Sequence, residues 1–126
     1  MKKTISTNNA PAAIGPYSQA IKVGNLLFVS GQITLDTKTG AVVQGGIKEQ
    51  TKQVLGNLQA IVVAAGMSLE NVVKCSCFLQ NMSEFADFNA VYGEYFMTTP
   101  PARECVEVSR LPKNVLVEIS AICVVS

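Results

Sequence analysis

The stretch Val115-Leu116-Val117-Glu118-Ile119-Ser120-Ala121-Ile122-Cys123-Val124-Val125 alternates with the two-residue period of a β-strand. Val115, Val117, Ile119, Ala121, Cys123 and Val125 form one wholly apolar face, which needs a covering layer. Leu116, Glu118, Ser120, Ile122 and Val124 form the other, where a carboxylate and a hydroxyl sit among aliphatic side chains. A strand of this kind, buried on one face and mixed on the other, belongs inside a sheet with helices on a single side.

Immediately upstream, Leu111-Pro112-Lys113-Asn114 reads as a turn, and Arg103 to Ser109 as a further strand. In that strand Val106 and Val108 share one face while Arg103, Cys105, Glu107 and Ser109 share the other. We expect the second set to lie on the mixed face with Glu118. Before it, Phe85, Phe88, Tyr92 and Phe96 recur at helical spacing behind Ser83, a candidate N-cap, and Pro100-Pro101 ends that helix. Val72 to Leu79 reads as a strand. From Ile47 to Ala65, Val54, Leu55, Leu58, Ile61, Val62 and Ala65 make one amphipathic stripe, with Lys48, Glu49, Gln50, Lys52, Gln53 and Asn57 mostly off it and Gly66 as a stop.

Nearer the start, Gln19 to Val23 and Leu26 to Ser30 form a hairpin around Gly24-Asn25, and Asp36 to Gly40 is a turn-rich loop. The first fifteen residues read as an irregular arm. The predicted order is β-β-α-β-α-β-β, an α+β fold with one mixed sheet and two helices on one face, in a single domain over residues 1–126.

Composition narrows the chemistry. The chain has no histidine, so Ser-His-Asp triads, Cys-His nucleophiles and His-ligated metals are excluded. Cys75, Cys77, Cys105 and Cys123 all fall in predicted strands, and the Cys75-x-Cys77 pair has neither zinc-ribbon nor redox spacing; a Cys-only zinc site is the one common zinc option left, and buried free thiols with no metal are expected over it. A formal charge of +1 without a basic stripe argues against nucleic acid as a partner. The polar residues after Lys2-Lys3 lack the apolar core of a signal peptide. No apolar run reaches the roughly 20 residues of a membrane span, so a cytoplasmic location is expected, with no membrane partner. Apolar residues make up 48% of the chain and charged residues 15%, a balance that suggests some apolar surface is covered by another subunit.

Arg103 has two readings on this basis. It is either a rim ion pair with Glu107 or Glu118, which alternation alone favours, or a planar guanidinium free to grip a carboxylate through two parallel bonds. Glu118 is blandly a paired strand carboxylate, Tyr17 an aromatic plug at the base of the arm, Ser30-Gly31 a strand end and Cys105 a buried thiol.

Several separated segments together resemble the RidA/YjgF family of reactive-intermediate deaminases. They are Ala10-Pro11-Ala12-Ala13-Ile14-Gly15-Pro16-Tyr17-Ser18-Gln19, Val29-Ser30-Gly31-Gln32-Ile33, and Pro101-Ala102-Arg103-Glu104-Cys105-Val106-Glu107-Val108 with Leu111-Pro112. Ala64-Ala65-Gly66 and Phe85-Ala86-Asp87-Phe88-Asn89 fit as well, so the resemblance spans essentially the whole chain. It implies a chorismate-mutase-like fold and a homotrimer with active sites between subunits. The implied activity is that of a 2-iminobutanoate/2-iminopropanoate deaminase, a hydrolase of C=N bonds acting on 2-aminoacrylate-type enamines and 2-imino acids without a cofactor. Arg103, Glu118 and Tyr17 are the implied catalytic set, with Glu118 near the attacking water. Arg103, Tyr17, Ser30, Gly31, Asn89 and Cys105 are implied to contact substrate, with Arg103 on its carboxylate. The alternative is a non-catalytic protein of the same fold that binds a small 2-oxo acid.

Overall fold

The computed structural model describes residues 1–125 and contains six strands and two α-helices. They are β1 (Lys3–Ile5), β2 (Ala20–Val23), β3 (Leu26–Gln32), α1 (Ile47–Ala64), β4 (Val72–Leu79), α2 (Phe85–Tyr95), β5 (Ala102–Glu107) and β6 (Val117–Val124). One sheet holds all six strands in the order β1-β2-β3-β6-β4-β5. It is mixed: every neighbouring pair is antiparallel except β4 and β5, which run parallel with α2 as their crossover. The α+β fold predicted from the alternating pattern is the fold found.

Strand β6 lies between β3 and β4 near the centre of the sheet. Val117, Ile119, Ala121 and Cys123 of β6 are buried, and across the ladder they meet Leu79, Cys77, Cys75 and Val72 of β4 and, through β3, Gln32, Val29 and Leu27. Over this face lies α1, whose stripe Val54, Leu55, Leu58, Ile61 and Val62 is fully enclosed, and α2 packs beside it with Phe88 and Tyr92. Each such enclosed side chain contributes about 1.5–3 kcal/mol by leaving water. No helix is long and apolar enough to cross a membrane among the described residues.

Several elements depart from the sequence reading, each for a local reason. The arm opens with a short strand, because Lys3–Ile5 pairs with Lys22–Ala20 and extends the hairpin sheet. Ser83 is not the cap of α2: a 3₁₀ turn over Met82–Glu84 precedes the helix, and the side chain of Asn81 accepts from the Ser83 amide. Gln50 and Asn57, expected off the stripe, are buried. Asn57 donates to the carbonyls of Ile33 and Leu35 at 3.2 and 3.0 Å, while Gln50 accepts from the Leu116 amide at 2.8 Å. These amides pin the loop after β3 and the entry to β6 onto α1, so their burial is compensated by hydrogen bonds. The stop at Gly66 holds, its φ of 80° being a left-handed value that favours glycine.

A candidate site in two halves

The most consequential departure concerns faces. Register pairs Arg103 with Cys75 and Cys105 with Cys77, and these cysteines pair in turn with Ala121 and Ile119. Paired residues share a face, so Arg103 and Cys105 lie on the helix-covered side of the sheet. Glu118 pairs with Phe78, and Phe78 with Val106, on the open side. The expectation that Arg103 and Glu118 share the mixed face is therefore overturned. Alternation orders the residues within one strand, but it cannot say which alternate set of one strand meets which set of another.

On the helical side, Arg103 is half-buried and its guanidinium leans on aromatic rings of α2. Its Cζ stands 4.8 Å from the centroid of Tyr92, 5.5 Å from Phe85 and 5.8 Å from Phe88. Nη1 donates to Asn89 Oδ1 at 2.8 Å. The helical stripe read from the sequence thus becomes a cradle for a cation, each contact attractive by about 0.5–1 kcal/mol or more. The rim ion pair is not formed. Glu107 instead accepts from the Met82 amide at 2.7 Å, and the ion pair present among the described residues joins Lys74 to Glu104 at 3.1 Å. Among the described residues, no carboxylate pairs with Arg103. It borders a cavity of about 340 Å³ with Asn89, Tyr92, Gly93, Phe96 and Pro100-Pro101.

Cys105 is half-buried beside it. Burial pushes its thiol up, and the nearby guanidinium only partly offsets this. Cys75, Cys77 and Cys123 are buried free thiols, the last pushed up to about 12 by burial. A thiol in this state is a packing group, not a nucleophile.

The other predicted residues gather where β3 and β6 meet the arm. Tyr17, Gly31 and Glu118 line a cavity of about 450 Å³ with Ile14, Gln19 and Lys113. Tyr17 is 53% exposed, and its hydroxyl accepts from the Ile14 amide at 3.4 Å, so it is an exposed wall of the cavity and not the expected plug. Glu118 is half-buried, and desolvation raises its carboxyl above the ordinary carboxylate range. Ser30 borders this group but its hydroxyl is committed, donating to the Ser18 carbonyl at 2.6 Å.

Gln19 was not singled out by the sequence reading. It is 4% exposed, donates to the carbonyls of Thr7 and Pro11 at 3.1 and 2.7 Å, and accepts from the Thr7 amide at 2.7 Å. One buried amide thereby ties down the arm that carries Tyr17. The available signal was an uncharged amide at the start of the strand that continues Ala20-Ile21-Lys22-Val23. On the other side of the cavity, Lys113 and Asn114 take left-handed φ values of 56° and 57°, a strained turn bordering a candidate site.

The class defined by these features is a small α+β protein whose candidate residues form two separate groups on one chain. A family model described as Endoribonuclease L-PSP matches residues 7–125. A RutC family protein of Pyrococcus horikoshii is 60% identical over 97% of both chains. A protein of Salmonella typhimurium named 2-iminobutanoate/2-iminopropanoate deaminase is 50% identical over 98% of both. The crystal structure of a putative endoribonuclease from Thermotoga maritima superposes with a TM-score of 0.98 at 52% identity, covering 100% of this chain and 99% of that one. The chain belongs to the RidA/YjgF family.

Proposed function

We propose that the protein hydrolyses 2-imino acids, and the enamines that tautomerise to them, to 2-oxo acids and ammonia. The observation that carries this reading is Arg103: a cation with no carboxylate partner among the described residues, fixed by Asn89 and three aromatic rings at the edge of a cavity. Such a group is suited to a small carboxylate ligand. The relatives named as deaminases, about half identical over nearly the whole chain, support the reaction type. The word endoribonuclease in the family description fits this chain less well, since it has neither a histidine for acid/base cleavage of RNA nor a basic stripe.

In the proposed reaction Arg103 holds the substrate carboxylate. A protonated imine is already electrophilic, so the protein need only place one water against its carbon. Glu118 accepts a proton from that water as the carbon–oxygen bond forms. The resulting carbinolamine then expels ammonia as its carbonyl forms, leaving the 2-oxo acid. Tyr17 walls the cavity on the Glu118 side and Cys105 lies beside Arg103.

The two halves need a second copy to meet. We infer that Arg103, Asn89 and Cys105 of one subunit complete a site with Tyr17, Ser30, Gly31 and Glu118 of its neighbour, in a closed homotrimer with one site per interface. A head-to-tail contact closes into a ring when its rotation returns to the first subunit, here after three copies. Supporting it, the open sheet face leaves Leu26, Phe28 and Val106 at 38%, 44% and 45% exposure, apolar surface suited to burial against another subunit.

The test is the decay of 2-iminopropionate, generated in situ by an amino-acid oxidase and followed spectroscopically. The wild-type protein accelerates it, and Arg103→Ala, correctly folded, loses on the order of a hundredfold in kcat/KM, as expected for losing a bidentate charged contact. Undiminished activity in Arg103→Ala would refute the assignment.

A further inference from the structure

β3 pairs Val29 with Ala121 and Gln32 with Ile119, so Ser30 and Gly31 together oppose the single residue Ser120. This is a β-bulge, a device that re-aims side chains beside functional sites. Here it turns the α-carbon of Gly31 onto Glu118. A Cβ at Gly31 would stand 2.9 Å from Glu118 Cδ and 3.2 Å from Cγ, with Oε2 closer still. Those three atoms are its nearest neighbours, and the Gly31 backbone is outside the left-handed region. Neither the backbone conformation nor the core demands glycine at this position. The carboxylate does.

We propose that Gly31 is a positioning residue: the side chain it lacks is the space in which Glu118 is held, facing the cavity that it shares with Tyr17 and Lys113. The proposal rests on the reading of Glu118 as the water's proton acceptor, and adds what keeps that carboxylate in place. The atoms nearest to an added methyl belong to the Glu118 side chain, whose bonds rotate, so it displaces Glu118 and leaves the fold intact. The displaced carboxyl gains water and loses the desolvation that raises its affinity for a proton. Arg103 stands on the other face and keeps its hold on the substrate carboxylate.

The experiment compares wild type with Gly31→Ala, Glu118→Asp, the double variant Gly31→Ala/Glu118→Asp, and Gly56→Ala. The last makes the same substitution on α1, where a Cβ meets nothing within 4 Å. The expected result is a kcat at least about tenfold lower in Gly31→Ala, with KM changed far less. The shorter acid, which no longer reaches the methyl, restores part of that loss in the double variant, and Gly56→Ala is unaffected. A ¹³C-detected titration of the Glu118 carboxyl moves down toward the ordinary range in Gly31→Ala. Stability supplies an arm independent of activity, read on Glu118→Ala and Gly31→Ala/Glu118→Ala: Gly31→Ala costs nothing once Glu118 is already alanine, because that pair lacks the clash.

Two results overturn the proposal. One is a Glu118 titration unmoved in Gly31→Ala. The other is a Gly31→Ala/Glu118→Ala protein less stable than Glu118→Ala, which would mean that something else excludes the side chain. If Glu118→Gln is fully active, the catalytic reading of Glu118 fails instead, while the titration and the stability comparison still decide whether Gly31 places that side chain.

Discussion

At Arg103 the chain holds a cation with no carboxylate partner among the described residues, in a setting that supplies aromatic faces and one amide oxygen. Charge alone is not what this arrangement selects. Arg103→Lys keeps the charge but loses the planar fork, so kcat/KM for 2-iminopropionate should fall at least about tenfold. Asn89→Ala frees the guanidinium from its tether and should raise KM by roughly an order of magnitude, the scale of one charge-assisted hydrogen bond, with a smaller effect on kcat. Steady-state kinetics on both variants checks the split. Glu118 makes a prediction of opposite sign for stability. Its carboxyl is raised by burial in the folded chain, so the folded state holds the proton more tightly than the unfolded one. The stability this group contributes is present in acid and is lost as pH rises through its folded value. Glu118→Gln should therefore have a higher Tm than wild type at neutral pH and lose that advantage below the ordinary carboxylate range. Thermal melts across pH would show it, and an equal or lower Tm at neutral pH would contradict it.

At the scale of elements, what repeats was legible and what closes a distance was not. The stripe of α1 and the alternation of β6 announce themselves because burial imposes a period, and each residue read into those faces is buried or nearly so. Leu58→Ala should cost about 2–5 kcal/mol in denaturant unfolding, since its site is fully enclosed between helix and sheet. Gly56, exposed on the same helix with nothing near a new Cβ, should tolerate alanine with a gain of up to about 1 kcal/mol. The features missed have no period. Asn57, Gln50 and Gln19 are buried amides that fasten loops, and their partners are backbone carbonyls or amides, which every residue but proline supplies in both kinds and which leave no mark in sequence. The bulge at Ser30-Gly31 is equally silent, because an inserted residue changes register without changing composition.

For the whole molecule, resemblance named a set of site residues whose distribution between two faces only the sheet register reveals. A lone chain places Arg103 and Glu118 on opposite sides, and an account in which they serve one reaction needs a second copy. That account predicts complementation. Arg103→Ala and Glu118→Gln, each inactive alone, are unfolded, mixed in equal amounts and refolded together. Random assembly into rings leaves about a quarter of the interfaces with an intact Arg103 from one subunit facing an intact Glu118 from the next. The mixture should then hydrolyse 2-iminopropionate at about a quarter of the wild-type rate, the variants refolded separately staying inactive. A mixture of folded trimers as inactive as its components would contradict the shared site and return both residues to separate roles.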